Sequence, residues 1–264
     1  MKLIDIGVNL TNKRFEGDLA EVVARAQLAG VKHQVVTGTS VQASEAAYQM
    51  AAKSSGYLSA TAGVHPHDAK TWDAQSASLI EALLEKPEVV AVGECGLDFN
   101  RDFSPRDQQL SCFEAQLQLA TQVNKVVFLH QRDAHEALIE RLSEYRPQLS
   151  GAVVHCFTGS REEMEAYIEL DCYIGITGWL CDERRGQELR DLVKYIPLNR
   201  LLIETDAPYL MPRNIKPRPK SSRNEPAFLP VVLNTLAEII EQPAEALAQT
   251  TFDNSTRFFQ LSTT

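Results

Sequence analysis

Four apolar, strand-like segments of this chain each end at a side chain that can bind a metal ion. The segments are Val89 to Glu94, Val126 to His130, Val153 to His155, and Leu201 to Asp206. Strands that alternate with helices pair in parallel, so their carboxyl ends emerge on one side of the sheet. One Glu, two His and one Asp from distant parts of the chain would then share a pocket. This mixed oxygen and nitrogen set suits Mg²⁺, Mn²⁺ or Zn²⁺ better than a thiol-preferring metal.

Two further groups could act beside these ligands. Glu204 lies two residues before Asp206, so the period of an extended strand points both carboxylates to the same side of the sheet. One would bind metal while the other orients water, and the alternative for Glu204 is an ion pair with an Arg or Lys inside the fold. His65 follows the third strand and either contacts a phosphate or leaving group, or caps the next helix. For His67, helix capping is the favoured interpretation.

Eight strand candidates alternate with amphipathic helical stretches along the chain. The strands are Lys2 to Asp5, His33 to Thr37, Leu58 to Gly63, Val89 to Gly93, Val126 to Leu129, Ala152 to Val154, Tyr173 to Ile176, and Leu201 to Glu204. Helical periodicity is clearest over Glu16 to Ala29, Ser40 to Ser54, Arg106 to Gln122, and Glu162 to Leu170. This pattern predicts an α/β fold, a (β/α)8 TIM barrel that occupies residues 1–264 as a single domain. An open doubly wound sheet is the alternative, although no Gly-rich dinucleotide turn or P-loop follows any strand.

Composition limits the compartment and the partners. A chain of 264 residues with 44% hydrophobic residues can bury one large core, and its net charge of −9 argues against broad adsorption to duplex nucleic acid. Five scattered cysteines without CxxC spacing fit reduced thiols. The opening residues Met1 to Asp5 reach an acid before any signal-like apolar run, and no segment approaches transmembrane length. We therefore expect a cytoplasmic protein with no membrane contact and no obligate protein partner.

A polar segment from Met211 to Pro226, here called the basic segment, follows the eighth strand. Its cations are Arg213, Lys216, Arg218, Lys220 and Arg223. Cations beside a pocket favour a polyanionic substrate, with a solvated loop as the alternative. Phe99, Trp179 and Tyr209 lie just after strands four, seven and eight, where they either stack on nucleic-acid bases or pack in the core.

Several strings of residues, in order along the chain, resemble the TatD family of metal-dependent deoxyribonucleases. They are Gly63-Val64-His65-Pro66-His67, Gly93-Glu94-Cys95-Gly96-Leu97-Asp98, His130-Gln131-Arg132-Asp133-Ala134-His135, His155-Cys156-Phe157-Thr158-Gly159, Glu204-Thr205-Asp206-Ala207-Pro208-Tyr209-Leu210 and Arg223-Asn224-Glu225-Pro226. The resemblance implies an amidohydrolase-like TIM barrel with a divalent metal site, Mg²⁺ being the first candidate. Its ligands would be Glu94, His130, His155 and Asp206.

The same resemblance implies exonuclease action from the 3′ end of single-stranded DNA, with RNA as a second substrate, and a role in DNA repair or nucleic-acid turnover. Asp206 or Glu204 would accept a proton from metal-activated water, with His65 as the third catalytic group. His65, Arg223 and Asn224 are predicted to bind the substrate. The alternatives are an amidohydrolase-like enzyme that opens an amide, ester or lactone, and a non-catalytic barrel that binds nucleic acid or protein.

The first strand departs from the family pattern. Many members carry Asp-x-His-x-His there, whereas this chain has Asp5-Ile6-Gly7-Val8-Asn9. Gly7 has no side-chain ligand and Asn9 offers only a neutral amide, so a metal position that depends on this strand should be weakened or absent. The sequence therefore leaves the number of metal ions open.

Overall fold

Eight parallel strands form one sheet in the computed structural model, which describes residues 1–262. They are β1 Leu3–Val8, β2 Val31–Val36, β3 Leu58–Ala62, β4 Val89–Asp98, β5 Val126–Arg132, β6 Ala152–Val154, β7 Tyr173–Ile176 and β8 Leu201–Ile203. Their order in the sheet is their order along the chain, β1 to β8. This is the strand order of a (β/α)8 barrel, so the predicted fold class is confirmed and the doubly wound alternative is wrong.

The α-helices of the described residues follow the strands in the same alternation. They are α1 Leu19–Leu28, α2 Val41–Ala52, α3 Ala74–Leu84, α4 Arg106–Val123, α5 His135–Tyr145, α6 Arg161–Glu169, α7 Gln187–Leu192, α8 Leu229–Ile239 and α9 Ala244–Phe259. The four helices predicted from periodicity are all present, with small shifts at their ends. Between residues 1 and 262, no helix has both the length and the apolar composition needed to cross a bilayer.

The strands are short apolar runs because a parallel sheet is covered on both faces. Every residue of β3, β6 and β8 is buried, in agreement with this expectation. β4 continues beyond its predicted end at Gly93 as far as Asp98, since the segment after Gly93 pairs with β5. The strand therefore extends through the polar and glycine-containing part of its sequence, where no apolar run marks it.

A bulge in β4 sets the position of Glu94. The pairing of β4 with β5 shifts register between Val92 and Cys95, so Gly93 and Glu94 together oppose Phe128. Gly93 has a φ of 136°, and a Cβ at this residue would lie 2.3 Å from the Phe128 carbonyl oxygen. Only glycine fits this close approach, so the residue before Glu94 is dictated by the strand pairing.

The chain divides into two compact units. Unit 1 comprises Met1–Val35, Cys156–Met164 and the chain from Ile174 onward, whereas unit 2 comprises Val36–His155 and Glu165–Tyr173. Within unit 2, β3 pairs with β4, β4 with β5, and β5 with β6, all in parallel. Within unit 1, β7 pairs in parallel with β8, and backbone hydrogen bonds also join the segments that follow β1 and β8. The assignment of all residues to a single domain stays a prediction.

Candidate metal centre

A buried carboxylate surrounded by imidazoles lies at the carboxyl ends of β3 to β6 in unit 2. Glu94 is 6% exposed, and its Oε1 lies 2.7 Å from His155 Nε2 and 3.0 Å from His130 Nδ1. The third imidazole, that of His65, approaches the same oxygen at 3.3 Å through Nε2. Potential ligand atoms of His65, Glu94 and His130 all lie within 4.8 Å of one another, a spacing that can hold one metal ion. The structure thus brings together three of the four predicted ligands, and His65 lies beside them.

The electrostatics of this cluster favour an ionised carboxylate. Burial alone would raise the pKa of Glu94, but electrostatic interactions with the rings of His155 and His65 and hydrogen bonds from His130 and His155 hold it well below its usual value. Burial lowers the pKa of His65 to about 4, so this ring is neutral at neutral pH. Burial also opposes protonation of His130, yet its interactions with the Asp98 and Glu94 carboxylates raise its pKa overall. A cation that replaces the proton of His130 would meet a negatively charged and preformed donor set.

Asp98, at the end of β4, joins this cluster although sequence reasoning gave it no role. Its carboxylate is almost fully buried, and Oδ2 lies 2.7 Å from His67 Nε2 and 3.5 Å from His130 Nε2. Its Oδ1 accepts hydrogen bonds from the backbone N–H groups of Asn100 and Arg101, at 3.1 and 2.9 Å. One feature of the sequence could have identified Asp98. It lies four residues after Glu94, a spacing that places both side chains on one face of a strand. Asp98 is therefore a positioning residue for two imidazoles.

Of the two histidines after β3, His65 caps the next helix, which was one of its two predicted alternatives, whereas His67 does not. His65 Nδ1 accepts a hydrogen bond from His67 N at 3.1 Å and caps the 3₁₀ helix Pro66–Thr71. Pro66 occupies the first turn of that helix, and the extended residue before it, His65, takes the N-cap position. The expectation that His67 caps the helix is therefore wrong, because its ring is hydrogen-bonded to Asp98 instead.

Two buried glutamines of α4 fix the backbone of the segments that carry these groups. Gln116 accepts a hydrogen bond from Val64 N at 2.8 Å and donates one to Val64 O at 3.0 Å. Gln109 makes the same pair of contacts with the backbone of Asp98, at 2.9 and 3.2 Å. The glutamines are two helical turns apart on one face, so a single helix holds the ends of two strands. Sequence periodicity identified α4 but gave no reason to single out its glutamines.

The two predicted carboxylates that follow β8 lie in unit 1. Glu204 is buried, and its Oε1 accepts a hydrogen bond from Cys156 N at 2.6 Å. Asp206 has a φ of 52°, and its Oδ1 accepts a hydrogen bond from Asn9 Nδ2 at 2.9 Å. The catalytic roles of Glu204 and Asp206, and the metal-ligand role of Asp206, stay predictions.

Asp5 in β1 fixes the residue between these two carboxylates. Its Oδ1 accepts a hydrogen bond from Thr205 N at 2.9 Å, and its Oδ2 lies 2.5 Å from Thr205 Oγ1. Burial raises the pKa of Asp5 to about 8, although the hydrogen bonds from Thr205 act in the opposite direction. Asp5 is therefore largely protonated at neutral pH, and the sequence alone did not identify it as a buried acid.

The basic segment contains two residues that were predicted to bind substrate. Both make hydrogen bonds to other residues of unit 1. Arg223 donates to both carboxylate oxygens of Asp18, at 2.6 and 2.7 Å, and to Glu225 Oε1 at 2.8 Å. Asn224 is fully buried, and its amide donates to Thr205 O and accepts from Glu225 N, both at 2.9 Å. A phosphate at Arg223 would compete with two carboxylates. Substrate binding by Arg223 and Asn224 stays a prediction.

A (β/α)8 barrel with a carboxylate and imidazoles at its strand ends is typical of the metal-dependent hydrolases. This chain belongs to the TatD-related DNase family, whose profile matches residues 4–260. It is 54% identical to the 3′-5′ ssDNA/RNA exonuclease TatD of Edwardsiella piscicida, over 98% of this chain and 100% of that protein. These matches confirm the predicted family and the predicted class of hydrolytic nucleases.

Two solved structures of the same family are similar over nearly the whole chain. The TatD homolog YJJV from Escherichia coli has 30% sequence identity and a TM-score of 0.88, with 98% of each chain covered. A TatD-family hydrolase from Entamoeba histolytica has 28% identity and a TM-score of 0.89, again over 98% of each chain. The fold described above is therefore shared with other members of the family.

Proposed function

We propose that this chain is a divalent-metal-dependent exonuclease that hydrolyses phosphodiester bonds of single-stranded DNA, and of RNA, from the 3′ end. The observation that carries the proposal is the buried Glu94 carboxylate within hydrogen-bonding distance of two imidazoles, with His65 a little farther away. The activity for which the 54% identical relative is named supports the choice of substrate and polarity. A role in DNA repair or turnover and a cytoplasmic location stay predictions.

The donor chemistry fits a divalent cation. Glu94, His130 and His155 would hold the ion, and Asp206 remains a proposed fourth ligand on the sequence argument alone. His130 Nε2 is buried and has no hydrogen-bond partner within the described chain, although Asp98 Oδ2 lies 3.5 Å away. Mg²⁺ was predicted first, but an imidazole-rich set of this kind favours Mn²⁺ or Zn²⁺, so all three ions belong in the assay.

His65 is better suited to contact the substrate than to bind the ion. Its Nδ1 accepts the hydrogen bond from His67 N, so the proton of the neutral ring must be on Nε2. An Nε2–H group has no lone pair for a metal. It faces Glu94 Oε1 at 3.3 Å, and it can donate to a phosphate oxygen instead. We therefore assign His65 to phosphate binding, where a neutral donor stabilises developing charge without the cost of burying a cation.

The proposed chemistry is hydrolysis by water. A divalent cation held by these ligands would supply positive charge and would lower the pKa of a water molecule. Glu204 or Asp206 is proposed to accept the proton of the attacking water. The hydrogen bond from Cys156 N holds Glu204 in one orientation, and the hydrogen bond from Asn9 does the same for Asp206. Fixed carboxylates avoid reorganisation during the reaction.

The test uses metal-stripped protein with oligonucleotides labelled at the 3′ or the 5′ end. We expect a ladder that shortens from the 3′ end after addition of Mg²⁺, Mn²⁺ or Zn²⁺, and no cleavage by Glu94→Ala or His130→Ala. His135→Ala is the matched control, because the His135 ring is hydrogen-bonded to Tyr167 on α6 and is not part of the histidine cluster around Glu94. Absence of cleavage with every divalent ion would refute the proposal and move the screen to esters, lactones and amides.

A further inference from the structure

One buried carboxylate in unit 1 holds two arginines from different loops. Asp182 lies after β7 and is 3% exposed. Its Oδ2 accepts a hydrogen bond from Arg185 Nε at 2.8 Å and lies 3.0 Å from Nε of Arg213, which belongs to the basic segment. Its Oδ1 accepts a hydrogen bond from Arg184 N at 3.1 Å, which fixes the orientation of the carboxylate. The buried carboxylate of Asp182 thus holds both guanidinium groups close to one oxygen atom.

A close backbone contact brings these two loops together. A Cβ at Gly178, which follows β7, would lie 2.2 Å from the carbonyl oxygen of Leu210. The loop after β8 can therefore pack directly on the loop after β7 only because residue 178 is glycine. This backbone contact holds the two loops together. The positions of Arg185 and Arg213 beside Asp182 therefore do not depend on their long, flexible side chains alone.

Both arginines keep donors available for a ligand. Each uses Nε for Asp182, which leaves the two Nη groups outside the ion pair. Within residues 1–262, these Nη groups have no hydrogen-bond partner on the protein. The side chains of Arg185 and Arg213 are 56% and 44% exposed, and their two charges are balanced here by a single carboxylate. A net positive charge with forked donors is the arrangement that binds a phosphate group.

A flat surface adjoins these donors. The guanidinium carbon of Arg185 lies 4.6 Å from the centre of the Trp179 ring, and Trp179 is half-buried. Nucleic-acid bases stack on aromatic rings and on guanidinium planes. Arg223, by contrast, donates hydrogen bonds to Asp18 and Glu225, so a phosphate there would compete with two carboxylates.

We propose that Arg185, Arg213 and Trp179 form a binding subsite for single-stranded nucleic acid. The Nη groups bind backbone phosphate oxygens, and Trp179 together with Arg185 stacks on a base. The choice of ligand rests on the proposed exonuclease function, but binding at this subsite requires neither metal nor cleavage. The subsite therefore determines affinity for the strand rather than the bond-breaking step.

The experiment measures binding of an oligothymidylate of about twelve nucleotides in the presence of chelator. The chain has two tryptophans, Trp72 and Trp179, so Trp72→Phe leaves Trp179 as the only indole fluorophore. We expect saturable quenching of its fluorescence by the oligonucleotide. Anisotropy of a labelled strand then gives the affinity over a range of salt concentrations.

Two variants separate phosphate binding from stacking. The double substitution Arg185→Gln with Arg213→Gln removes both charges but keeps an amide donor for Asp182. It should reduce the slope of log affinity against log salt by about 1.4, because each single-strand phosphate contact contributes about 0.7. Trp179→Ala should weaken binding about tenfold and leave that slope unchanged.

The matched control is Arg200→Gln with Lys194→Gln, which removes the same total charge from segments that precede β8. The control should retain the slope of the unmutated protein. An unchanged slope in the Arg185 and Arg213 variant, an equal loss in the control, or unquenched Trp179 at saturation overturns the proposal. A protein that binds through this subsite without cleaving refutes only the exonuclease function, and one that cleaves with an unchanged slope refutes only the subsite.

Discussion

Replacement of Asp5 by Asn should remove a pH-dependent loss of stability that this buried carboxyl imposes on the fold. Asp5 is fully buried in β1, and burial raises its pKa from 3.8 to about 8, although hydrogen bonds from Thr205 oppose the shift. At pH values between these two, the folded chain keeps a proton that the unfolded chain has released. The free energy of unfolding must therefore fall as the pH rises through this range.

The magnitude follows from proton linkage. The contribution of Asp5 is complete below its unfolded pKa of 3.8 and is lost as the pH rises through about 8. In between, the free energy of unfolding falls by about 1.4 kcal/mol per pH unit, or about 4 kcal/mol from about pH 5 to about pH 8. An Asn at this position has no proton to lose, and its amide can donate to Thr205 Oγ1 while its oxygen accepts from Thr205 N. The variant should therefore lack this slope.

Urea unfolding followed by circular dichroism, repeated at several pH values, tests the prediction. The quantity to plot is the difference in unfolding free energy between the Asp5→Asn variant and the unmutated chain, since the titration of His65 and other groups cancels there. Asp73→Asn is the matched control, because the pKa of this helix-capping carboxyl is lowered and its difference should be flat above about pH 5. A flat difference for Asp5→Asn as well would show that Asp5 is ionised in the folded protein and would refute the reasoning.

Three further predictions concern the metal centre and the strand that carries it. Asp98→Asn should lower metal affinity about 10- to 100-fold in titration calorimetry, because the carboxylate beside His130 orients that ring, and an unchanged affinity would contradict this role. Gly93→Ala should lower the free energy of unfolding by about 3 kcal/mol or more, since its Cβ would lie 2.3 Å from Phe128 O, and a loss below about 1 kcal/mol in urea unfolding would contradict it. Metal at about 100 times its dissociation constant should stabilise the chelator-treated protein by about 2.7 kcal/mol, and Glu94→Gln should abolish the accompanying rise in melting temperature. A similar rise in that variant would place the ion elsewhere.

The strands could be predicted because a strand that is buried on both faces has a continuous apolar sequence. Ala152–Val154 and Tyr173–Ile176 match the predicted bounds residue for residue. The end of β4 could not be found in this way, since the residues after Gly93 are held in the sheet by their pairing with β5 rather than by their own composition. Local pattern therefore located the strands, but strand pairing decided how far one of them extends.

The convergence of site residues was predictable from topology, whereas their hydrogen-bond partners were not. Glu94, His130 and His155 were expected together because each follows a parallel strand, and the structure places them within hydrogen-bonding distance. The partners of Arg223 depend on loop conformations, and Asp18 is 205 residues away in the sequence. No periodicity or spacing within one segment carries information about such a contact. The contacts of Arg223 with Asp18 and Glu225 were therefore not predictable from the sequence.

Asn9 gives a physical reason to expect altered metal binding where the first strand lacks the histidines of other family members. Its Nδ2 donates to Asp206 Oδ1 at 2.9 Å, so the protein itself satisfies a carboxylate that would otherwise favour a nearby cation. A metal ion that takes the lone pair used by Asn9 would displace a hydrogen bond to a charged group, which contributes about 1.5–3 kcal/mol and corresponds to roughly ten- to a hundred-fold in affinity. An imidazole at the same position could bind the ion together with the carboxylate instead of competing with it. A metal position that relies on Asp206 should therefore be weaker in this chain than one held by the Glu94 cluster of unit 2.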